Sequence, residues 1–261
     1  MHPVLLFRKP YASKYELLHA EKYFRVEESR IRCQNSLVIG RYCVLPFYEE
    51  LERDLGLIGS RLVNSFVEHH WITSFAYYQE MRGHTPATWD DENIHTCTHP
   101  GPFVVKGKMS SKKHNWNTHM FARPKPDALE LARRLKLDVE IQEQGVVYRQ
   151  YVPLRTLEIG VHGLRHTNEW RFFCYRQHLI SYGYYWSLAN CWDRAELKPA
   201  GLRLAQKLAA IAARFATFFT LDIAETEEGD WILIEINDAQ MATPSENDLD
   251  ELYGRLKERT R

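Results

Sequence analysis

Two carboxylates and one amide stand inside a pair of apolar runs in the last fifth of the chain. Asp222 belongs to the run 218–224, and Glu235 and Asn237 belong to the run 231–237; a polar segment that contains a glycine separates the runs. Apolar runs joined in this way are typical of a β-hairpin. If it folds about its midpoint, the hairpin places Asp222 opposite Glu235, and Asn237 on the face of Glu235.

Oxygen ligands on a frame of Leu, Ile, Trp and Phe side chains are costly to bury without a cation. Mg²⁺ binds proteins through a few carboxylates and takes its other ligands from water and phosphate oxygens. We therefore predict that Asp222, Glu235 and Asn237 hold Mg²⁺. The alternative is an edge hairpin whose charged residues face solvent.

A lysine at the end of an apolar strand is the next candidate ligand. Lys106 closes the run 103–106, and the loop 107–115 that follows contains a glycine, two serines and further lysines, among them Lys108 and Lys112. Free backbone N–H groups, hydroxyls and ammonium groups together neutralise a polyphosphate. The loop is therefore a candidate phosphate clamp, although it matches neither the P-loop nor the GxGxxG pattern. A solvated or structural lysine is the alternative.

Two further strands offer polar groups. The run 146–152 stops at Pro153, so main-chain groups of Gln150, Tyr151 and Val152 can extend beyond the sheet, as the edge of an adenine ring requires; an ordinary core strand is the alternative. Arg171 alternates with apolar neighbours. A guanidinium placed in this way pairs with an acid or binds a phosphate through two N–H groups.

The order of elements predicts βα alternation followed by a strand-rich half. Apolar periodicity and capping signals predict helices over residues 14–24, 46–55, 66–81, 127–135, 200–215 and 248–259. Besides the hairpin above, the sequence predicts strands over residues 4–7, 36–44, 103–106, 146–152, 170–175 and 179–186.

Composition excludes several classes of function. Lys plus Arg and Asp plus Glu both number 34, so no overall charge favours nucleic acid or an acidic membrane. The chain has 5 Cys and no CxxC pair, a pattern that fits reduced thiols better than a disulfide framework. No signal-peptide pattern and no run of roughly 20 apolar residues is found. We expect a cytoplasmic protein without membrane or nucleic-acid partners.

The order of these parts resembles a known family. Strand–lysine–loop, "RQYVPL", "EWRFF" and "TLDIAETEEGDWILIEINDAQMATP" are together similar to the ATP-grasp superfamily, in particular to small phage and bacterial ATP-grasp domain proteins of unassigned substrate. The resemblance covers roughly residues 66–245 and is most specific in its closing D…E-x-N segment. It implies an α+β fold in which two α+β subdomains clasp a nucleotide. We expect a small α/β domain over residues 1–65, the ATP-grasp domain over 66–245 and a polar C-terminal helix or tail over 246–261.

The resemblance also implies roles for single residues. It assigns Mg²⁺ on ATP to Asp222, Glu235 and Asn237, and the catalytic contacts to the phosphates to Lys106 and Arg171. It assigns further ATP contacts, to phosphates, adenine or ribose, to a longer set, in which the ribose position stays open between the two acids: Lys108, Lys112, Gln150, Tyr151, Val152, Glu158 and Glu169. The lysine that many family members carry early in the domain is missing between Lys22 and Lys106, so Arg61 or Arg82 is a candidate replacement.

The reaction implied is ATP-dependent formation of an amide-type bond. A substrate carboxylate takes the γ-phosphoryl group, and an amine then displaces phosphate. The carboxylate and the amine, each a small molecule or a peptide, cannot be identified from the sequence; we expect the loop with Arg165 and His166 near the second substrate.

Three alternatives remain open. The first is a nucleotide sensor without turnover. The second is a nucleotidyltransferase that uses Lys106 as nucleophile, although the K-x-[DN]-G pattern is absent. The third is a zinc site in the segment 95–99, which contains two His and one Cys; a plain surface loop is the favoured interpretation of that segment.

Overall fold

A computed structural model describes residues 2–8, 13–187 and 189–261, with backbone only for His114, Glu140 and His162. Its helices are α1 (Lys14–Ala20), α2 (Tyr48–Leu57), α3 (Phe66–Thr73), α4 (Tyr77–Met81), α5 (Trp116–His119), α6 (Lys125–Leu135), α7 (Val139–Gln142), α8 (Pro199–Ala212) and α9 (Leu249–Arg259). Its strands are β1 (His2–Phe7), β2 (Arg25–Glu27), β3 (Ser36–Arg41), β4 (Arg61–Leu62), β5 (Thr88–Asp90), β6 (Phe103–Gly107), β7 (Phe121–Ala122), β8 (Val146–Gln150), β9 (Thr156–Ile159), β10 (Arg165–Thr167), β11 (Glu169–Tyr175), β12 (His178–Tyr184), β13 (Phe218–Glu225) and β14 (Trp231–Asp238).

The first sheet is parallel, with the order β2-β1-β3-β4. Most side chains of β1 and all of those of β3 are buried, which is typical of a parallel sheet covered on both faces. Alternate residues of β1 enter different cores: Val4 and Leu6 pack with α2, whereas Leu5 and Phe7 pack with α9.

The second sheet is antiparallel, with the order β5-β8-β6-β7. On β6, Phe103 and Val105 enter a core that α6 closes with Leu131 and Leu135. Strand alternation sends the side chains between them, among them that of Lys106, to the opposite face. The core on one face thus fixes what the other face presents.

The third sheet is also antiparallel, with the order β12-β11-β13-β14, and the β9–β10 hairpin forms a separate two-stranded sheet. Phe172, Leu221 and Ile236 face a core closed by α8. The other face carries Phe173 and Phe218, which belong to the same core as β1 and α9. This face also carries the polar residues of β11, β13 and β14.

The C-terminal helix is part of the core. Asp248 caps α9, as its Oδ1 accepts from the N–H of Glu251 at 2.9 Å. Leu252, Tyr253 and Leu256 are buried against both the first and the third sheet. The predicted division at residues 65 and 245 stays a proposal, because one core contains residues from both sides of each boundary.

The helix predicted over residues 66–81 is two helices. A capping box between Ser65 and Glu68 starts α3, and α4 begins only after Phe75, whose φ of 69° lies in the left-handed region. The Phe75 ring packs on the Tyr77 ring at 4.6 Å. The periodicity of the run was helical throughout, so this burial of an aromatic ring at a break was not visible in the sequence.

The other predicted elements are present with shifted ends. The predicted strand 36–44 ends at Arg41, and the predicted helix 14–24 ends at Ala20. The two hairpins over 170–186 and 218–237 form as predicted. No helix among the described residues is both long enough and apolar enough to cross a membrane.

A glycine lets α8 approach the hairpin. A Cβ on Gly201 would lie 2.7 Å from ring atoms of Trp231, whereas a Cβ on Gly56 in α2 would meet no atom within 4 Å. Helix propensity favours Ala over Gly by up to about 1 kcal/mol. We expect Gly56→Ala to raise the free energy of unfolding, and Gly201→Ala to lower it by about 1–3 kcal/mol through overpacking. Urea denaturation checks this; equal stabilisation by both changes would contradict the packing.

Candidate active site

A cleft opens between the second and the third sheet, with about 890 Å³ of space including its mouth. This size lies within the usual range of small-molecule sites. Its apolar lining includes Val104, Met120, Val152, Leu154, Ile232 and Ile234, and its charged lining includes Lys106, Lys113, Arg149, Arg165, Glu169 and Glu235. The cleft therefore joins a surface suited to a planar apolar ring with a surface suited to charge.

The predicted acids meet on the β13–β14 hairpin. Asp222 lies opposite Glu235, and a bulge follows at Ile223. The Nδ2 atom of Asn237 lies 3.4 Å from Asp222 Oδ2 and 3.2 Å from Glu235 Oε1. The predicted cluster of two carboxylates and one amide on one face is therefore present.

Arg171 neutralises Asp222. The two residues are register partners on β11 and β13. Arg171 donates from Nε to Oδ1 at 2.8 Å and from Nη2 to Oδ2 at 2.7 Å, a paired geometry that fixes both side chains. The remaining Nη1 donates to the carbonyl and hydroxyl oxygens of Thr243 at 3.0 and 3.1 Å. Because Asp222 is fully buried, this guanidinium supplies the compensating charge that the carboxylate needs.

Lys106 neutralises Glu235 from the opposite sheet. Its Nζ donates to Glu235 Oε2 at 2.5 Å, and both side chains are largely buried. Burial alone would raise the pKa of Glu235, but the charges of Lys106, Lys113 and Arg171 outweigh it and hold that pKa well below its usual range. Glu235 is therefore ionised, and the ion pair spans the cleft.

Lys113, rather than Lys108 or Lys112, is the loop lysine that lines the cleft. Its Nζ donates to the Tyr185 hydroxyl at 2.8 Å and lies 4.0 Å from Glu169 Oε1. Lys112 instead pairs with Asp138 at 2.8 Å. Lys108 donates its backbone N–H to the carbonyl of Gly145. The sequence could not choose among the lysines, because no periodic pattern fixes the direction of side chains in a loop.

Glu169 is a buried acid in the cleft with incomplete hydrogen bonding. Its Oε2 accepts from Thr167 Oγ1 at 3.4 Å, whereas Oε1 is buried and lacks a hydrogen-bond partner among the described residues. Burial raises the pKa of Glu169 to about 7; the Lys113 ammonium lowers it in part, and the charges of Asp222 and Glu235 raise it further. Glu158, the other acid considered for the ribose, does not line the cleft and pairs with His166 at 3.1 Å.

The predicted hinge lines the cleft through Gln150, Tyr151 and Val152. The Gln150 and Tyr151 N–H groups donate to the carbonyl oxygens of Ala87 and Pro102 at 2.7 and 3.0 Å. Those N–H groups are therefore engaged within the protein. Val152, with Pro153 after it, lies beyond the end of β8.

Arg149 was not predicted as a site residue. It is buried on β8 and donates from Nη1 to the carbonyl oxygen of Ile234 at 2.5 Å and from Nη2 to Thr85 Oγ1 at 2.6 Å. It lines the cleft, whereas Arg61 and Arg82, the candidate replacements for the missing early lysine, do not. Its alternation with buried residues of β8 was the available signal in the sequence.

The segment 95–99 does not gather its metal-ligand types. Cys97 Sγ faces the carbonyl of His99, the ring of His99 stacks with that of Trp89, and His95 is exposed. In the part of the chain that the structure describes, the three-residue group with metal-ligand geometry is a different one.

Comparisons with known proteins agree with this geometry. The model of an ATP-grasp domain family, the third family of its clade, matches residues 93–256. No curated protein matches the sequence. Among solved structures, the fold is similar to D-cycloserine synthetase DcsG (12% identity, TM-score 0.62, 100% of both chains). It is also similar to a Bacillus anthracis D-alanine–D-alanine ligase complexed with ATP (10% identity, TM-score 0.57, 99% of this chain and 96% of that one).

A third similar structure is ATP-grasp ligase PsnB complexed with minimal precursor, Mg and ADP (10% identity, TM-score 0.58, 99% of this chain and 97% of that one). At such identities the likeness shows the fold alone. The predicted α+β ATP-grasp fold is confirmed.

The raised pKa of Glu169 makes stability depend on pH. The folded protein binds this proton with a pKa of about 7 against 4.5 for an ordinary glutamate. The folded state therefore holds more protons between these values, and stability falls as pH rises through them. We expect Glu169→Gln to remove this loss, so that the mutant gains on the wild type by at most about 3 kcal/mol between pH 4.5 and 8.

Urea denaturation without nucleotide or metal, at several pH values, measures this difference. Glu228→Gln is the matched control, because Glu228 is exposed in the turn of the β13–β14 hairpin. Its difference from the wild type should stay flat with pH. An equally flat difference for Glu169→Gln would contradict the burial of a titrating acid.

Proposed function

Since the chain belongs to this ATP-grasp domain family, we propose that it is an ATP- and Mg²⁺-dependent carboxylate–amine ligase. The observation that carries the proposal is the meeting, in one cleft, of the acids Asp222 and Glu235 with cations from other strands and a loop. Lys106 and Lys113 come from β6 and its following turn, and Arg171 comes from β11. Such a set suits phosphoryl transfer, in which catalysis is mainly positioning and charge neutralisation.

The apolar lining supports adenine binding. Val104, Met120 and Ile232 supply flat apolar surface beside Val152 at the end of β8. The main chain beyond β8 is the natural partner for the hydrogen-bonding edge of the ring, and we assign the hinge Gln150–Val152 to this role. Glu169 Oε1, a buried acceptor without a partner among the described residues, suits a hydroxyl donor such as a ribose.

The donor set suits Mg²⁺. Asp222, Glu235 and Asn237 offer carboxylate and amide oxygens within hydrogen-bond distance of one another, which are the hard ligands this ion takes. Rotation of the Asn237 amide exchanges its nitrogen for its oxygen at the same position. When bound, Mg²⁺ bridges phosphate oxygens and neutralises their charge.

The residues of the chain then have distinct tasks. Lys106 and Lys113 bind the phosphates as point charges, and Arg171 stabilises the charge of the phosphoryl group as a carboxylate oxygen attacks it and ADP leaves. The acyl-phosphate so formed reacts with an amine, whose nitrogen takes the acyl carbon as phosphate departs. Tyr185 and Glu169 hold Lys113 in place.

The second substrate enters beside the β9–β10 hairpin in this proposal. Arg165 lines the cleft, whereas His166 is engaged with Glu158. Ligases of similar fold act on D-alanine or on a precursor, as their names state. We therefore propose a small molecule or a peptide as the source of the carboxylate and of the amine.

Calorimetry with ATP, with and without Mg²⁺, is the first test. We expect Mg²⁺-dependent binding that Glu235→Ala/Asn237→Ala abolishes and that Glu228→Ala, in the turn of the same hairpin, leaves intact. Release of ADP with a panel of carboxylates, and a hydroxamate when hydroxylamine replaces the amine, support a ligase. Release of pyrophosphate with nucleotide covalently on Lys106 would indicate a nucleotidyltransferase, and binding without turnover a sensor. Absence of ATP binding in the wild type would overturn the proposal.

Adjacent lysines offer a sharper comparison. We expect Lys113→Gln to weaken ATP binding about 10- to 100-fold, because a charge-assisted hydrogen bond is worth about 1.5–3 kcal/mol. Lys112→Gln should bind ATP as the wild type does, since Lys112 pairs with Asp138. Calorimetric titration at fixed Mg²⁺ measures both; equal losses would show that the loop turns differently.

A further inference from the structure

Behind the wall of the cleft lies a second polar cluster that the ligase chemistry does not use. Glu158 of β9, His166 of β10 and Cys191, which follows β12, each present one ligand atom, and these atoms lie within 4.8 Å of one another. The three residues come from separate segments. Their meeting therefore depends on the packing of the β9–β10 hairpin against the chain after β12.

Existing contacts orient two of the three ligand atoms. His166 Nδ1 lies 3.1 Å from Glu158 Oε2, which also accepts from the N–H of Asn190 at 3.2 Å. The Cys191 Sγ lies 3.3 Å from the Tyr184 hydroxyl. A carboxylate held by a backbone N–H is the kind of outer support that metal ligands commonly have.

The cluster is sheltered but open on one side. Cys191 is fully buried, whereas the side chain of His166 is 13% exposed and that of Glu158 is 26% exposed. Gly160 lets the His166 ring lie close, since a Cβ there would come within 2.6 Å of it. An ion can therefore approach from the Glu158 side and reach a thiol that solvent does not reach.

One sulfur, one imidazole nitrogen and one carboxylate oxygen favour a particular class of metal. Thiolate and imidazole select borderline-soft ions, and Zn²⁺ takes S, N and O ligands in tetrahedral geometry. Tetrahedral bonds of this length separate ligand atoms by roughly 3.3–3.8 Å, so the cluster must contract by about 1 Å. That movement is within the reach of side-chain rotation.

We propose that Glu158, His166 and Cys191 form a Zn²⁺ site, with its fourth position open to water. Binding breaks the Glu158–His166 hydrogen bond and releases the thiol proton of Cys191 to solvent, because thiolate is the ligand. The ordinary alternative is a hydrogen-bonded cluster in which Cys191 packs as a small apolar residue beside Tyr184 and Ala189.

Such a site would brace the cleft. Thr167 and Trp186, which line the cleft, flank the ligands in sequence, and Trp186 Nε1 donates to Thr167 Oγ1 at 3.3 Å. The Trp186 ring lies 5.1 Å from that of His166. A metal bond between the hairpin and Cys191 would hold these two residues in register.

Cobalt titration of the chelator-treated full chain, without nucleotide, tests the proposal. We expect one equivalent of Co²⁺ to give a sulfur-to-cobalt charge-transfer band with tetrahedral d–d bands, and one equivalent of Zn²⁺ to displace it. Cys191→Ser should lose the charge-transfer band, and His166→Ala should weaken binding at least about 10-fold. Cys43→Ser, which removes an exposed thiol, should keep the full spectrum.

Thermal unfolding supplies a second readout. Zn²⁺ should raise the Tm of the wild type and of Cys43→Ser but not that of Cys191→Ser, because only a ligand of the native state stabilises it. Should Cys191→Ser fail to fold, Glu158→Gln serves in its place, with weakened Co²⁺ binding expected. No charge-transfer band at one equivalent, or an unchanged band in Cys191→Ser or Glu158→Gln, would overturn the proposal. Because the Asp222 set contains no sulfur, ions bound there cannot produce the band.

Discussion

The neutralisation of two buried acids is the constraint on which the rest of the structure depends. Asp222 and Glu235 face each other on adjacent strands, and Asp222 is fully buried. Leaving either charge without its partner would cost about 3–5 kcal/mol. Arg171 and Lys106 must therefore reach them, which requires β11 beside β13 and places the end of β6 opposite β14. The sheet order and the position of the cleft follow from this pairing as much as from apolar packing.

The same contacts join the two sheets that form the cleft. Lys106 reaches Glu235, and Arg149 reaches the carbonyl oxygen of Ile234, so two cationic side chains of the second sheet end on β14. In the proposed function, phosphate oxygens take Lys106 while Mg²⁺ takes the place of its charge beside Glu235. Charge then stays compensated in both states, and binding exchanges partners instead of exposing an unpaired ion.

The sequence was most informative where structure is local. The β13–β14 hairpin, its pairing of Asp222 with Glu235, and the direction of Lys106 follow from strand alternation and turn chemistry. The choice of Lys113 over Lys112 and of Glu169 over Glu158 as cleft residues did not follow, because each depends on how segments distant in sequence pack. The break at Phe75 was hidden for the same reason. A left-handed residue there is stabilised by its ring contacts, which no periodicity reveals.

The three cations differ in how readily they can change partners. Arg171 is bound through four hydrogen bonds to Asp222 and Thr243, and its side chain is only 6% exposed. Lys106 has one short contact to Glu235 and is equally buried. Lys113 keeps 20% of its side chain exposed and lies on a short turn, where the Tyr185 ring and hydroxyl hold it. Fewer bonds and better hydration lower the cost of release. We therefore infer that Lys113 meets an arriving phosphate first, Lys106 follows as Glu235 gains its new partner, and Arg171 remains fixed as the point about which the site is organised.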